Sequence, residues 1–229
     1  MKEDGKLAVV FSGGLDSTVL LHEVHKLGKV GAVVTVDYGQ RHVCEVLAAD
    51  AVLHAMHLQD LHVVAELPNL GAAIGRSSSQ CNHRLPVPHG HYQDETMRTT
   101  VVPNRNMILL AIALGVAIDR GCIGVAYGAH AGDHAIYPDC RLEFVGAMKL
   151  AANLCHYEPL YLEAPYGRFK KWEIVKRGAD LGVPFHLTWS CYEGAARPIE
   201  KHCGRCGACV ERREAFLDAG VADPTEYLA

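Results

Sequence analysis

Short apolar runs rich in valine alternate with longer helical patterns, and this alternation restricts the fold more than any other feature of the sequence. The runs are "KLAVVF", "AVVTVD", "LHVVAE", "CIGVAYG" and "LYLEAP", and the helical patterns cover 16–27, 41–57, 104–119, 141–155 and 170–181. Continuous apolar strands separated by helices are typical of a parallel sheet that is covered on both faces. The sequence therefore predicts an α/β fold built on a doubly wound, mostly parallel sheet.

The length of the chain allows one large core. Its 229 residues, of which 49% are apolar, predict a main α/β domain over 1–186 and a small C-terminal zinc-binding and helical region over 187–229. In a doubly wound sheet, ligands bind at the carboxyl ends of the strands. We therefore expect functional side chains in the loops that follow residues 11, 37, 66, 126 and 165.

The first of these loops, in "VVFSGGLDST", has the properties of an anion-binding turn. Ser12, Gly13 and Gly14 lead into a helix that begins near Asp16, which leaves backbone N–H groups pointing toward the strand ends. Glycine permits the close approach of phosphate oxygens, and Ser17 adds a hydroxyl group. A helix cap with glycines for packing is the alternative interpretation. The chain lacks both the G-x-G-x-x-G fingerprint and the G-x-x-x-x-G-K-[ST] loop, so this is a different kind of phosphate loop.

The six residues "SGGLDS" match the S-G-G-x-D-S signature of the ATP pyrophosphatases, and the chain resembles that family, whose members cleave ATP between the α- and β-phosphates. The resemblance implies that the loop holds the leaving pyrophosphate, with ATP as co-substrate and Mg²⁺ as a further cofactor. The residues predicted to bind the nucleotide are Phe11, Ser12, Gly13, Gly14, Leu15, Asp16, Ser17 and Thr18. Asp16 has two possible roles: it contacts magnesium, or it is only a helix-start residue favoured by the helix dipole.

Four of the nine cysteines have the spacing of a structural metal site. Cys203, Cys206 and Cys209 form two overlapping C-x-x-C steps, and Cys191 supplies a fourth thiolate from a separate loop. Four thiolates suit a tetrahedral zinc ion, and an iron–sulfur cluster is the alternative. Cys81 receives no role. Buried packing is predicted for the cysteines that fall in helical or strand patterns, which are Cys44, Cys122 and Cys155.

Further polar motifs follow the predicted strand ends or lie toward the end of the chain. They are "YGQRH", "VPNRN", "GDHAIYPDC", "TWSCY", "CGRCGAC" and the closing "DPTEY". Together with "FSGGLDST", they make the chain similar to the 7-cyano-7-deazaguanine synthases, a family within the ATP pyrophosphatases, over nearly its whole length. One departure is the stretch between Cys191 and Cys203, which is slightly longer than in that family.

The resemblance implies an ATP-dependent ligase that converts 7-carboxy-7-deazaguanine and ammonia to 7-cyano-7-deazaguanine, a queuosine precursor, in a homodimer. A carboxylate resists attack by ammonia, so it must first attack the α-phosphate of ATP and form an adenylate. Ammonia then displaces AMP to give an amide, and adenylation of the amide oxygen followed by elimination gives the nitrile. Catalytic roles are predicted for Ser12, Asp16, Ser17, Arg105 and Lys171.

Substrate recognition is predicted at the other strand ends. Arg105 and Lys171 are the expected cations for the substrate carboxylate or the α-phosphate, with a solvated face as the alternative. A guanine-like edge presents two adjacent N–H donors that one carboxylate accepts, so Asp133 and Asp139 are candidates to read the ring, and a turn-forming aspartate is the alternative. Tyr137 is expected to stack on the ring. The complete predicted substrate-binding set is Tyr38, Gln40, Arg105, Asp133, Tyr137 and Asp139.

Two features receive only a general interpretation. The segment 67–103 is rich in Pro, Gly, Ser and His and is too long for an ordinary connection, which predicts a lid or binding loop. His130 and His134 flank Asp133 in a position to shuttle protons, but surface histidines are the preferred interpretation.

Charge and composition restrict the partners. The formal net charge is −4 and no run of lysine and arginine is present, which argues against nucleic acid and acidic membrane surfaces. No apolar stretch reaches spanning length, so we expect a cytoplasmic enzyme that acts on small molecules and uses free ammonia.

Three alternative functions are a tRNA-thiolation enzyme, a ligase that joins the activated acid to another amine, and a noncatalytic zinc-bearing module. The missing basic appendage argues against the first and the intact "SGGLDS" against the third, while the second stays open.

Overall fold

The computed structural model describes residues 5–41, 44–91, 95–193 and 201–228. The strands in this part of the chain are β1 (Leu7–Val10), β2 (Val30–Asp37), β3 (His62–Glu66), β4 (Gly124–Ala126) and β5 (Tyr161–Glu163). The helices are α1 (Leu15–Lys26), α2 (Cys44–Met56), α3 (Leu70–Ile74), α4 (Arg105–Asp119), α5 (Leu142–Leu154), α6 (Lys171–Asp180) and α7 (Gly207–Ala219). None of the described helices combines the length and the apolar character needed to cross a membrane.

The five strands form one parallel sheet in the order β3-β2-β1-β4-β5. The central strand is β1, in which Val9 lies beside Val33 of β2 and Ala126 of β4. The chain proceeds outward from β1 to β3 and then crosses back to β4, so the strand order reverses between β1 and β4. This topology confirms the doubly wound α/β prediction. The crevice at such a reversal point is where ligands bind in sheets of this kind.

Both faces of the sheet are buried, which explains the continuous apolar runs. Successive residues of a strand point to opposite faces. Ala8 and Val34 pack with residues of α4 and α5, whereas Val9 and Val33 pack with residues of α1, α2, α6 and α7. All four side chains are fully buried. Because neither face meets solvent, most positions of the central strands carry an apolar residue. The buried Thr35 of β2 is an exception, and its hydroxyl donates to the carbonyl of Phe11.

Helix α7 begins directly after Cys206, contains Cys209 and packs against α6. Its Phe216 belongs to the same apolar cluster as Val9 and Val33 and lies edge-on to Phe185, with 5.0 Å between the ring centroids. The domain boundary near residue 186 therefore stays a prediction, but residues beyond it contribute to the central core.

The segment 67–103 contains more regular structure than its sequence indicates. It holds α3 and a 3-10 helix over Glu95–Thr100, while "SSSQ" and "PVPHGH" are not helical, as predicted. Val87 packs against the cysteine cluster, and a backbone bridge joins His89 to Cys206. The described part of the segment is thus attached to the C-terminal region, and its role as a lid or binding loop stays a prediction.

The cysteines outside the cluster differ in burial. Cys122 is buried, as predicted, and Cys44 is half-buried. The prediction for Cys155 is wrong, because this residue lies just past the end of α5 and is exposed, one turn beyond Ala152, which is buried. Cys81, which had no predicted role, is half-buried and packs against the core.

Candidate active site and metal centre

A cavity lies at the carboxyl ends of β1, β2 and β4, where the strand order reverses. Most of the residues predicted for the site line it, namely Phe11, Ser12, Gly14, Leu15, Asp16, Ser17, Tyr38, Gln40, Arg105, Asp133, Tyr137 and Lys171. Gly13, Thr18 and Asp139 do not line it. The loop after β3 was also predicted to carry functional side chains, but none of its described residues reaches the cavity.

The turn after β1 depends on Gly13. This residue has a φ of 83°, which residues with a side chain rarely adopt. A Cβ at this position would lie 2.4 Å from the carbonyl oxygen of Glu45 and 2.5 Å from the backbone nitrogen of Ala49. Gly13 therefore packs directly against the backbone of α2, and only glycine fits at this position.

Hydroxyl groups close the same turn. The backbone N–H of Ser12 donates to Ser17 Oγ at 3.3 Å, and the N–H of Gly14 donates to Ser12 Oγ at 3.2 Å. Thr18 is fully buried and its hydroxyl donates to the Gly14 carbonyl, so it holds the loop in shape. Helix α1 begins at Leu15, and the first turn of a helix leaves N–H groups without intrahelical acceptors. The loop is therefore suited to hold a phosphate group.

A largely enclosed lysine, with its side chain 17% exposed, connects this loop to the opposite wall of the cavity. Lys171, the first residue of α6, places its Nζ 2.9 Å from Asp16 Oδ2 and 3.1 Å from Glu211 Oε2. Burial alone would lower the pKa of Lys171, but these two carboxylates outweigh it and the pKa is raised. Burial alone would raise the pKa of Asp16, but Lys171 and His130 outweigh it and the pKa is lowered. Lys171 and Asp16 are therefore both charged at neutral pH.

His130 and Asp133 complete this charged group from the loop after β4. His130 Nε2 lies 3.5 Å from Lys171 Nζ and 3.5 Å from Asp133 Oδ2. The backbone N–H of Gly132 points at His130 Nδ1 at 3.1 Å. His130 is only 1% exposed, so the interpretation of this residue as a surface histidine is wrong.

Glu211 is the candidate that sequence reasoning missed. It lies on α7 in the charged run "ERRE", which is typical of a solvated helix face. Its side chain is nevertheless 12% exposed, and burial raises its pKa. One signal was present, because the helical period places Glu211 on the same face as Ala208 and Ala215, and both alanines are buried.

Arg105, the first residue of α4, supplies a second positive charge to the cavity. Its guanidinium carbon lies 5.7 Å from the centroid of the Tyr137 ring, and its charge also acts on the nearby Tyr38 hydroxyl. Tyr192 is a third nearby phenol. Burial raises the pKa of Tyr38 to about 12, so its hydroxyl stays protonated. Within the described ranges no carboxylate forms an ion pair with Arg105, which makes the guanidinium suited to an anionic ligand.

The two aspartates predicted to read the ring lie in different surroundings. Asp139 Oδ2 accepts the backbone N–H of Asn106 at 2.9 Å, in the first turn of α4, where a negative charge also suits the helix dipole. This contact favours the turn-forming interpretation of Asp139. Asp133 lines the cavity, with its side chain 17% exposed.

Tyr137 and Gln40 line the cavity and also have local partners. The Tyr137 hydroxyl lies 2.6 Å from Thr100 Oγ1, and the buried ring faces Arg105. Gln40 Oε1 accepts the backbone N–H of Tyr38 at 2.9 Å, so its amide closes the turn after β2. Gln40 therefore shapes the cavity wall with a group that is already engaged.

The four cysteines predicted as metal ligands come together. Cys191, Cys203, Cys206 and Cys209 are buried, and their Sγ atoms lie within 4.8 Å of one another. The Sγ atoms of Cys203 and Cys209 are 3.9 Å apart, close to the separation of about 3.8 Å that a tetrahedral ion with Zn–S bonds of about 2.3 Å requires. The donor set fits one four-coordinate ion, whereas a four-iron cluster is larger and needs its thiolates farther apart.

Comparisons with known proteins agree with this geometry. The family described as queuosine biosynthesis protein QueC matches residues 6–220. A 7-cyano-7-deazaguanine synthase from Marinobacter nauticus is 45% identical over 221 residues, which cover 96% of this chain and 96% of that protein. A protein of the same name from Allorhizobium ampelinum is 48% identical over 224 residues, which cover 97% of this chain and 92% of that protein. A solved 4-thiouridine synthetase–RNA complex with bound ATP covers 94% of this chain and 51% of its own, with 18% identity and a TM-score of 0.51, a likeness that shows the fold alone.

Proposed function

The chain belongs to the QueC family of queuosine biosynthesis proteins, and we propose that it converts 7-carboxy-7-deazaguanine and ammonia to 7-cyano-7-deazaguanine in an ATP-dependent reaction. The observation that supports this most strongly is that the phosphate loop and the Arg105 guanidinium line one cavity. A nucleotide held by the loop and an acid held by Arg105 meet in the same space, as the formation of an acyl adenylate requires.

We assign the leaving pyrophosphate to the loop over 12–17. The hydroxyls of Ser12 and Ser17 and the N-terminus of α1 stabilise the negative charge that develops there. Asp16 supports a magnesium contact, because its Oδ1 is buried and has no hydrogen-bond partner among the described groups, and carboxylate oxygens are ligands that Mg²⁺ prefers.

The two positive side chains serve the two anions that must approach each other. Arg105 accepts the substrate carboxylate, and Lys171, held by Asp16 on the phosphate-loop side, contacts the α-phosphate. Together they reduce the repulsion between two negatively charged reactants. Asp133 is the carboxylate in the cavity that accepts the paired N–H groups of the deazaguanine edge, and Tyr137 stacks on the ring.

The chemical sequence uses one site twice. An oxygen of the acid attacks the α-phosphorus and pyrophosphate leaves, after which ammonia attacks the acyl carbon and AMP leaves with that oxygen. The amide oxygen then attacks the α-phosphorus of another ATP, and loss of AMP with two protons forms the nitrile. Each step needs the same loop for pyrophosphate and the same cavity for the base.

We propose that Cys191, Cys203, Cys206 and Cys209 hold one zinc ion with a structural role. All four coordination positions are taken by thiolates, so the ion has no open position for a water or a substrate. The narrow spacing of the sulfur atoms supports a single ion over an iron–sulfur cluster.

A homodimer, a cytoplasmic location and the absence of a nucleic acid partner stay predictions for this chain. The biosynthetic role of the family supports small-molecule substrates and a cytoplasmic location. Analytical ultracentrifugation of the metal-loaded protein decides between a monomer and a dimer, and a gel-shift assay with tRNA tests the third prediction.

Incubation of the purified protein with 7-carboxy-7-deazaguanine, ammonium, Mg²⁺ and ATP tests the proposed function. We expect the nitrile, AMP and pyrophosphate in the mass spectrum. A reaction that stops at the adenylate and proceeds only when another amine is added would replace this function with the ligase alternative. A control without ammonium or any other amine should stop at the adenylate under either function, so the amine that must be added to consume the adenylate separates the two.

A further inference from the structure

Glu211 reaches the cavity from a helix that starts inside the cysteine cluster. Cys206 immediately precedes α7, and its carbonyl accepts the N–H groups of Cys209 and Val210. Glu211 follows Cys209 by two residues and places its Oε2 3.1 Å from Lys171 Nζ. The direction of Glu211 is therefore set within one or two turns of two of the four cysteines.

A second attachment fixes the same part of α7. Arg212 is fully buried and donates to Thr188 Oγ1 at 2.9 Å and to Ser190 Oγ at 3.1 Å. The segment that accepts these bonds also contacts the phosphate loop, since the N–H of Trp189 donates to the carbonyl of Gly13 at 3.0 Å.

The cysteine cluster joins these two segments to each other. Cys191 directly follows the segment 188–190, and Cys206 and Cys209 stand at the start of α7. The cluster therefore holds, on one side, the chain that contacts the phosphate loop and, on the other, the helix that contacts Lys171. Cys203 lies between these two segments in the sequence. Its N–H points at Cys191 Sγ at a distance of 3.3 Å.

We propose that Glu211 is a positioning residue for Lys171 and that the cysteine cluster serves the reaction by holding the helix turn that carries Glu211. Asp16 on α1 and Glu211 on α7 each accept one N–H of the ammonium group, which restricts a flexible side chain to one place. His130 Nε2 lies 3.5 Å from the same Nζ, but His130 Nδ1 accepts the N–H of Gly132, so Nε2 carries a hydrogen and cannot accept from Lys171. The third N–H is therefore left for an anionic ligand. This inference rests on the proposed function only in taking that ligand to be the α-phosphate.

Burial makes the pairing between Lys171 and Glu211 mutually necessary. The two side chains are 17% and 12% exposed, and a buried charge that loses its partner is strongly disfavoured. Replacement of Glu211 by glutamine keeps the size of the side chain and one acceptor oxygen, but it removes the charge and turns the second oxygen into an NH2 donor. Glu211→Gln therefore disturbs the position of Lys171 without creating a cavity.

The first test compares the turnover of Glu211→Gln and Glu214→Gln. Glu214 lies on the same helix with its side chain 47% exposed, so its replacement controls for the loss of one negative charge from α7. We expect Glu211→Gln to lower kcat by about ten- to a hundredfold, since small misplacements of a reacting group have effects of that size, and to change the KM for ATP much less. Equal kcat values for the two variants would contradict the proposal.

The second test is independent of turnover and measures the acetylation of Lys171 by N-hydroxysuccinimidyl acetate. Lys171 is enclosed and protonated in the intact protein, whereas the preceding Lys170 is exposed and serves as an internal control. Mass spectrometry of peptides cut at glutamate gives the ratio of the two reactions. We expect Glu211→Gln in the metal-loaded protein to raise the Lys171 to Lys170 ratio by about tenfold, the effect of lowering the amine pKa by about one unit.

Removal of the metal from the wild-type protein with a chelator should raise the same ratio. If the ratio is unchanged in both Glu211→Gln and the metal-free protein, the proposal is wrong, whatever the turnover assay shows. Where chelation unfolds the chain, as circular dichroism would reveal, the metal-loaded Glu211→Gln variant decides alone. A ratio that rises as expected, although the wild-type protein makes no nitrile, would support the positioning of Lys171 by Glu211 and would contradict the proposed function.

Discussion

Replacement of Gly13 by alanine should damage both the fold and the phosphate loop. The new Cβ would lie 2.4 Å from the carbonyl oxygen of Glu45 and 2.5 Å from the backbone nitrogen of Ala49. Both contacts are with the backbone of α2, which cannot rotate aside as a flexible side chain does. The φ of 83° is a further obstacle, because it places an L-residue in the left-handed region.

The size of the effect follows from these two causes. The left-handed backbone costs alanine about 1–2 kcal/mol, and an extra carbon in a packed site costs about 1–3 kcal/mol. Their sum, about 2–5 kcal/mol, is a large part of the free energy of unfolding of a typical protein, about 5–15 kcal/mol. In a chain of this size about 1 kcal/mol lowers Tm by about 2–4 °C, so we expect a fall in Tm of about 4–20 °C.

Gly115→Ala is the matched control. Gly115 lies inside α4, and apart from the adjoining backbone of that helix no atom of the described residues lies within 4 Å of the position its Cβ would take. Alanine there should raise the free energy of unfolding by about 0.5–1 kcal/mol. Urea unfolding followed by circular dichroism measures both variants, and calorimetry measures their affinity for ATP. A Gly13→Ala protein with the stability and ATP affinity of the wild type would refute the argument.

Three further predictions concern the cavity and the metal centre. Arg105→Met removes a charge-assisted contact of about 1.5–3 kcal/mol, so the KM for the acid should rise about 10- to 150-fold, whereas the exposed Arg120→Met should leave it unchanged. The pKa of Asp16 is lowered from its ordinary value of 3.8, so its stabilising effect is complete above that pH and is lost as the pH falls through the lowered value. Asp16→Asn should therefore show a weaker dependence of unfolding free energy on pH below about pH 4, and equal slopes would contradict the role of this ion pair. Cys203→Ser should abolish metal binding measured by plasma mass spectrometry and lower Tm, while Cys44→Ser should bind metal normally.

The sequence predicts the strands and long helices well because both faces of the sheet are covered. Valine-rich strands such as β2 leave a mostly apolar signal, and α4 contains the apolar run "MILLAIALGVAI", which is too long for a strand. The five-residue helix α3 is missed, because a segment so short shows no period. The strand order is a property of pairing between distant segments, and no local pattern contains it.

In the candidate site, too, features that depend on neighbouring residues are predictable from the sequence, whereas features that depend on contacts between distant segments are not. The phosphate loop is recognisable because Gly13, Gly14 and Asp16 lie within one short stretch of the chain. Glu211 is not recognisable, since its role depends on α7 packing against α6, more than thirty residues earlier in the chain. Asp133 and Asp139 look alike in sequence, and only the contact of Asp139 with the start of α4 separates them.

The most direct test of the account is to follow the oxygens of the substrate. The acid is prepared with both carboxyl oxygens labelled as ¹⁸O and is incubated with the protein, ammonium, Mg²⁺ and ATP, and the nucleotide products are weighed by mass spectrometry. If the cavity activates the acid and then the amide by adenylation, the nitrile is unlabelled and each AMP formed carries one ¹⁸O. Label in inorganic phosphate together with ADP, or AMP without label, would show that the phosphate loop does not serve an adenylation and would contradict the account.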